Sequence, residues 1–424
     1  MHRIRRIGGL HTFRKTGMSK VAASWANRWE QYALFAVCCL ALAVSMGVAL
    51  VSLSKVLVLI AAMGYLFLDI KYKKWPSWHE WPLTAGLIVL AFAWMSVTWL
   101  WSEAPLADAK SNLSKHSRLL WFIAIFYIIR TPTQATQVLK WHAGGLAFLL
   151  LGSWMLWLGL PVPWATAHSA PELGIVSAST LEQPVFLTML MAYLWLFKSH
   201  WPQGRWRWVV PAVMLLTVVN VFFIMTGRTG FLVMFLMLTV CNFWSLPKRW
   251  KWAFWVLPVI LGTLLFAVSP RFQNRSEAVV ENIESYKQGS VQTSQAQRLD
   301  YWHRSLLAIQ EKPILGHGVG SWTINYHRLG GLQVDAPSNP HQEYLLWAVE
   351  AGLIGLVLLL GIFITLYQSA TSLPTEPKRF MLVMLLIASV MSLMNCPLFG
   401  AAMGECFMLM WACLLKFQTE PSST

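Results

Sequence analysis

Apolar runs of about twenty residues recur along almost the whole chain, and only 12% of the residues are charged. A soluble domain carries about twice that share. In a bilayer every backbone N–H and C=O must be satisfied within its own segment, so runs of this length read as membrane-crossing helices. The expected fold class is an all-α polytopic membrane protein. Its spans are expected near 31–50, 55–69, 82–101, 119–129, 141–160, 183–197, 208–225, 230–246, 252–269, 341–367, 380–396 and 400–416, about twelve transmembrane helices. Several are short for a bilayer, and flanking residues, tilt or a break must make up the length.

Lysine and arginine give the orientation. With residues 1–30 as a basic cytoplasmic tail, 21 of the 33 Lys and Arg fall on the cytoplasmic side. Seven more lie in one long outward segment, 270–340, and long segments cross regardless of charge. Only Lys55, Lys110, Lys115, Arg118 and Arg228 are left in short outer loops. The expected order is a tail, helices 1–9 over 31–269, a large mainly helical loop over 270–340, helices 10–12 over 341–417, and a cytoplasmic tail over 418–424. The net charge of +15 follows from this bias and from attraction to anionic membrane lipids, so no nucleic-acid partner is expected. The six cysteines lie in or beside apolar runs, which indicates neither a disulfide framework nor a zinc site.

The segment 270–340 is too long for a plain connection. Residues 277–287 are expected to form one amphipathic helix and 294–311 a second. In the second, Leu299, Trp302, Leu306 and Ile309 make an apolar stripe at helical spacing. Pro313 ends it, and the glycine-rich Ile-Leu-Gly-His-Gly-Val-Gly-Ser-Trp322 reads as a tight loop. The outer loop 161–182 is expected to be a connector on the membrane surface.

Three residues stand out for chemistry. Asn339-Pro340-His341-Gln342 has the pattern of a helix start, with Asn339 as N-cap and Gln342 closing a capping box. His341 is then expected in the first helical turn, where the dipole disfavours imidazolium and attracts anions. The plain alternative is a histidine that only helps start a helix. Arg228 is the centre of Met-Thr-Gly-Arg-Thr-Gly230, between two spans. It either snorkels to lipid headgroups or binds an anion that the flanking glycines let approach. On the helix 294–311, Arg304 is spaced to pair with Asp300, whereas Arg298 has no evident partner. There is no Asp-x-Asp, no His-Glu-x-x-His, no Walker loop and no Gly-x-Ser-x-Gly elbow, so neither metal nor nucleotide cofactor is expected.

These stretches resemble the bacterial O-antigen ligases and polymerases. Thr-Gly-Arg228-Thr-Gly is similar to their arginine turn between two spans. Arg298-Leu-x-x-Trp302, leading to Lys-Pro-Ile-Leu-Gly-His-Gly-Val-Gly, is similar to the middle of their periplasmic loop. Pro-His341-Gln342, nine residues, Gly352, two residues and Gly355 resembles the ligase histidine motif. The resemblance implies transfer of a glycan from undecaprenyl pyrophosphate to a sugar of lipid A–core, at the periplasmic face of the inner membrane. It implies Arg228 and Arg298 as pyrophosphate-binding catalytic residues and His341 as the base. It leaves open an O-antigen polymerase or a protein O-oligosaccharyltransferase, the latter through Glu350-Ala-Gly352. From another class, a lipid-linked glycan transporter would place ionisable groups within its spans, where only Glu405 is a clear candidate.

Overall fold

The computed structural model describes residues 20–72, 80–166, 169–177, 179–198, 202–225, 227–245, 247–250, 253–268, 273, 293–331 and 337–418. The expected helix over 277–287 lies outside the described residues. The described chain is helical, and its only β pairing there is the isolated bridge between Ala170 and Ile175. The longer helices are α1 (Lys20–Ala43), α2 (Val48–Lys71), α3 (Leu83–Val97), α4 (Leu106–His116), α5 (Trp121–Ile128), α6 (Pro132–Trp157), α7 (Glu182–Leu196) and α8 (Val209–Val219). They continue with α9 (Arg228–Ser245), α10 (Ala253–Val268), α11 (Ser294–Glu311), α12 (Trp322–Arg328), α13 (Glu343–Ala370), α14 (Thr375–Met394) and α15 (Ala401–Leu414).

Five helical stretches among the described residues are long and apolar enough to cross a membrane. They are Val48–Lys71, Leu83–Trp101, Gly204–Ile224, Glu343–Ala370 and Thr375–Met394. Their apolar side chains divide into a packed face and an outer face. On α2, for example, Val51, Val58 and Ala61 are buried whereas Leu53, Met63 and Phe67 are exposed. An apolar face of that kind suits lipid rather than water. By contrast, α15 is buried on every side from Ala402 to Leu414, as an all-round apolar helix must be. It packs against α5, α6 and α14.

Several expected boundaries move. α1 begins at Lys20, inside the stretch read as a tail, and ends at Ala43, so the expected first span at 31–50 runs across the break before α2. Gly47, with φ of 138°, sits in that break. α6 begins at Pro132 rather than 141, because Thr131 and Gln134 form a reciprocal capping box there. The fourth expected span, 119–129, contains only the eight-residue α5, preceded by a 3-10 turn and α4. The connector over 161–182 is no loose surface strap in its described part. Ile175 and Val176 are buried, and Gln183 both accepts from the Val176 N–H and donates to the Gly174 carbonyl.

α11 matches the expected bounds 294–311, with Thr293 as its N-cap. The face it buries is rotated from the expected stripe. Tyr301, Ser305 and Ala308 are buried, whereas Leu306 is exposed. Tyr301 and Ala308 pack with Trp322, Tyr326, Leu346, Val349, Cys396 and Phe399 in a small core separate from the main one. Hydrogen bonds decide the rotation: Trp322 Nε1 donates to Ser305 at 2.8 Å, and Tyr326 donates to Asp300 at 2.8 Å. The expected Arg304–Asp300 pair forms at 3.2 Å.

Candidate active site

The site is organised by a break in α13. At Gly352 the backbone takes φ 65° and ψ −166°, a region open essentially to glycine alone. Helical hydrogen bonding is interrupted there, and the loop after α11 takes over. The Leu353 N–H donates to the Pro313 carbonyl at 2.8 Å, while the Val349 and Glu350 carbonyls accept from His317 at 2.8 Å and Gly318 at 2.9 Å. The Ala351 carbonyl accepts from Trp94 of α3 at 2.9 Å. The second half of the histidine motif is thus a docking joint. It fastens α11, which carries Arg298, to α13, which begins just after His341.

The same contact explains the Gly316, Gly318 and Gly320 run. All three have positive φ, and a Cβ at Gly318 would meet the backbone of Ser102. Ser102 in turn donates to the Val319 carbonyl at 2.7 Å. Glu103 next to it accepts from Lys312, from His317 Nδ1 at 3.0 Å and from Asn325 at 2.9 Å. Burial raises the Glu103 pKa, but these donors outweigh it and hold the carboxyl down to about 2.

His341 does not lie in the first turn of α13. Gln342 is the N-cap, accepting from the Leu345 N–H, so Glu343 is the first helical residue. Asn339 instead accepts from the His341 N–H at 2.9 Å, a local turn that competes with the helix. The result is strain: His341 has φ of 52° and is the only non-glycine residue with positive φ among the described residues. Such a conformation costs roughly 1–3 kcal/mol and persists only where the surroundings over-determine it. Three side chains do so: Asn339, Trp302 of α11, which donates to the Pro340 carbonyl at 3.2 Å, and Asn395. The His341 ring meets Asn395 Oδ1 through Nδ1 at 3.1 Å, and lies 6.2 Å from the Tyr301 ring.

Burial lowers the His341 pKa, the Asn395 bond opposes this, and the charge of Arg298 lowers it further. These influences together favour the neutral imidazole, although not through the helix-start position expected for it. Arg298 is itself half-buried, and burial is the main influence on its guanidinium, which is shifted down. No carboxylate lies within ion-pair distance of it among the described residues. A desolvated guanidinium without a carboxylate is suited to an anionic ligand. The structure thus brings His341 and Arg298 together. Arg228 begins α9, but its side chain lies outside the description. Its flanking glycines are taken up by helix packing: a Cβ at Gly227 would meet the Thr180 carbonyl and one at Gly230 would meet Pro184.

Sequence reasoning missed Asn395, which is 54 residues from His341 in the chain. The signal present was weak, an amide two residues before Pro397 at the end of an apolar run. It also missed how the basic residues assigned to the short outer loops are used. Lys55 pairs with the fully buried Glu405 at 2.6 Å, and Arg118 lies 3.6 Å from the same oxygen. Lys115 reaches Ser338 at 3.3 Å. Glu405, the one ionisable group noted within a span, is thus held by two cations. Another pair, His116–Glu350 at 3.1 Å, is buried between α4 and α13. Among the described residues no three His, Cys, Asp or Glu side chains converge as a metal site.

Residues 212–360 match a family model described as O-antigen ligase. That segment of the chain is similar to the family. The match takes in Arg228, Arg298, His341 and the Gly352 joint. A Rickettsia conorii protein named "Putative polysaccharide ligase" is 31% identical over 137 residues, 29% of this chain and 30% of that protein. A Haemophilus influenzae protein named "Uncharacterized protein" is 30% identical over 115 residues, 25% of this chain and 29% of the other. The chain therefore spans less than a third of the length of these curated relatives. A solved chain from "Structural coordination of polymerization and crosslinking by a peptidoglycan synthase complex" aligns at TM-score 0.44 and 16% identity, covering 79% of this chain and 96% of that one.

Proposed function

We propose that this protein transfers O-antigen glycan from undecaprenyl pyrophosphate to a sugar hydroxyl of lipid A–core. The reaction takes place at the periplasmic face of the bacterial inner membrane. The observation that carries the reading is the His341 turn: a strained histidine, its pKa lowered by burial, beside a guanidinium with no carboxylate partner among the described residues. His341 takes the proton of the acceptor hydroxyl as its oxygen attacks the anomeric carbon. The bond from that carbon to the phosphate oxygen breaks, and its electron pair leaves on the pyrophosphate. Arg298 and Arg228 hold that developing charge, for which a planar guanidinium fork is well matched. Attack in one step inverts the anomeric centre. The donor bond is already activated, so the route calls for neither nucleotide nor metal.

The match to O-antigen ligases and the likeness to a named polysaccharide ligase support this reading. Lipopolysaccharide gel profiles with and without the gene test it. Loss of the long-chain ladder, with accumulation of carrier-linked glycan of full length, is the expected result. Accumulation of single carrier-linked repeats would instead make the protein a polymerase.

The proposal includes about twelve spans, cytoplasmic termini and a periplasmic segment over 270–340. Gln310, on the exposed face of α11, gives a direct check. A cysteine there is expected to react with a membrane-impermeant thiol reagent added from the periplasmic side. A Gln310→Cys protein that is active yet protected until the membrane is opened would reverse the orientation.

A further inference from the structure

We propose that Asn395 is a positioning residue for the His341 base: its amide oxygen accepts from Nδ1–H, which fixes the tautomer that leaves Nε2 free for the acceptor proton. The inference rests on His341 being the base. It adds the element that decides which ring nitrogen acts, and why that partner is an amide.

Asn395 is pinned at both ends of its backbone. It follows α14 with φ −160° and ψ −179°, and its N–H donates to the Met391 carbonyl at 2.7 Å. Its own carbonyl accepts from the Glu343 N–H at 3.2 Å, and so satisfies one of the open donors at the start of α13. One residue therefore joins the end of α14, the start of α13 and the His341 ring. Oδ1 cannot drift far from Nδ1 while both joints hold. Nε2 has no hydrogen-bond partner among the described residues. A histidine's active nitrogen is set by the bond that the other nitrogen makes.

The charge of the partner matters as much as its place. A carboxylate there would stabilise imidazolium and raise the ring's pKa, as an opposite charge within a few ångströms does. The neutral amide orients the ring with only the upward pull of a hydrogen bond and no added charge. Among the described residues, the other groups facing His341 do not supply a free carboxylate. α11 contributes Arg298 and Tyr301. From α13, Glu343 is engaged on both oxygens, by Trp347 at 3.1 Å and by the Leu398 N–H at 2.9 Å. From α4, Lys115 reaches Ser338 of the same turn.

The test is the pH dependence of glycan transfer by full-length purified protein, with a carrier-linked glycan as donor and lipid A–core as acceptor. Wild type, Asn395→Asp, Asn395→Ala and His341→Ala are compared. Asn395→Ala is expected to lose on the order of tenfold or more in kcat, with KM for both substrates near wild type. Asn395→Asp preserves shape and acceptor, so it is expected to regain turnover at alkaline pH. Its acidic limb is expected to move to higher pH by about one unit or more, since a raised base pKa is protonated sooner as pH falls. A residue that served only to join α13 and α14 would leave that limb in place. An unmoved limb in Asn395→Asp, or wild-type kcat in Asn395→Ala, with His341→Ala inactive, overturns this inference alone. An active His341→Ala overturns the base assignment on which it stands.

Discussion

His341→Ala is expected to lower glycan transfer on the order of a hundredfold or more, with donor binding close to wild type. The substitution removes the proton acceptor but leaves Arg228 and Arg298 to hold pyrophosphate, so the loss belongs in kcat. The variant keeps the positive φ at this position, and the Asn339 and Trp302 bonds that hold the turn do not involve the imidazole. Protein yield and thermal stability are therefore expected to stay near wild type, which separates a chemical effect from a folding one. The wild-type pH profile carries the same signature. Because burial and Arg298 lower the His341 pKa, the base is expected to stay neutral to a lower pH than an ordinary histidine. Activity should fall only as pH drops through that depressed value, at the acidic side of the ordinary one. Measured donor binding and turnover, each as a function of pH, check both statements.

Gly352→Ala is the second large effect. A Cβ at this position would collide with the Ile314 carbonyl, and φ 65° with ψ −166° is closed to alanine on steric grounds. Backbone strain and overpacking together put the cost at roughly 2–5 kcal/mol. The damage does not stay local. The Val349 and Glu350 carbonyls accept from the loop that ends α11, and Trp94 of α3 holds Ala351. Restoring a regular helix would return those carbonyls to α13 and release the loop. α11 would lose its seat, and Arg298 would move relative to His341. Both a lower unfolding temperature and a fall in transfer are expected. Gly361→Ala serves as the comparison, since a Cβ there meets only the end of the Leu87 side chain, at 3.3 Å, on a regular stretch of helix. Equal stability of the two variants would remove the joint from the account.

The sequence was most readable where structure is local. Thr293 and Pro313 bracket α11, and its helical spacing placed 294–311 correctly. The face that α11 buries was not readable, because Ser305 and Asp300 are turned inward by Trp322 and Tyr326, donors further along the chain. At the His341 turn two local rules competed. Asn339 looked like a helix cap, but it closes a turn on the His341 N–H and leaves Gln342 to cap α13. Periodicity carries no information on that choice. The Gly-x-Gly-x-Gly run was legible as a tight loop, but its reason lies in the approach of Ser102, the start of α4 and the Gly352 break of α13 from distant parts of the chain. Asn395 belongs to the same class, since its contact with His341 exists only once α14 has packed beside α13. The family resemblance supplied the three candidate residues. The structure adds that Arg298 lies near enough for its charge to act on His341, and identifies the joint that fastens α11 to α13.

The central claim is single-step transfer from a lipid pyrophosphate to a sugar hydroxyl with His341 as base. Its most direct measurement uses the purified full-length protein, a defined undecaprenyl pyrophosphate-linked glycan and purified lipid A–core, with the anomeric configuration of the product determined. One new glycosidic bond to the core sugar, inverted relative to the donor, and no product from His341→Ala, is the predicted result. A retained configuration, a product elongated on the carrier with lipid A–core untouched, or transfer by His341→Ala at the wild-type rate would contradict it.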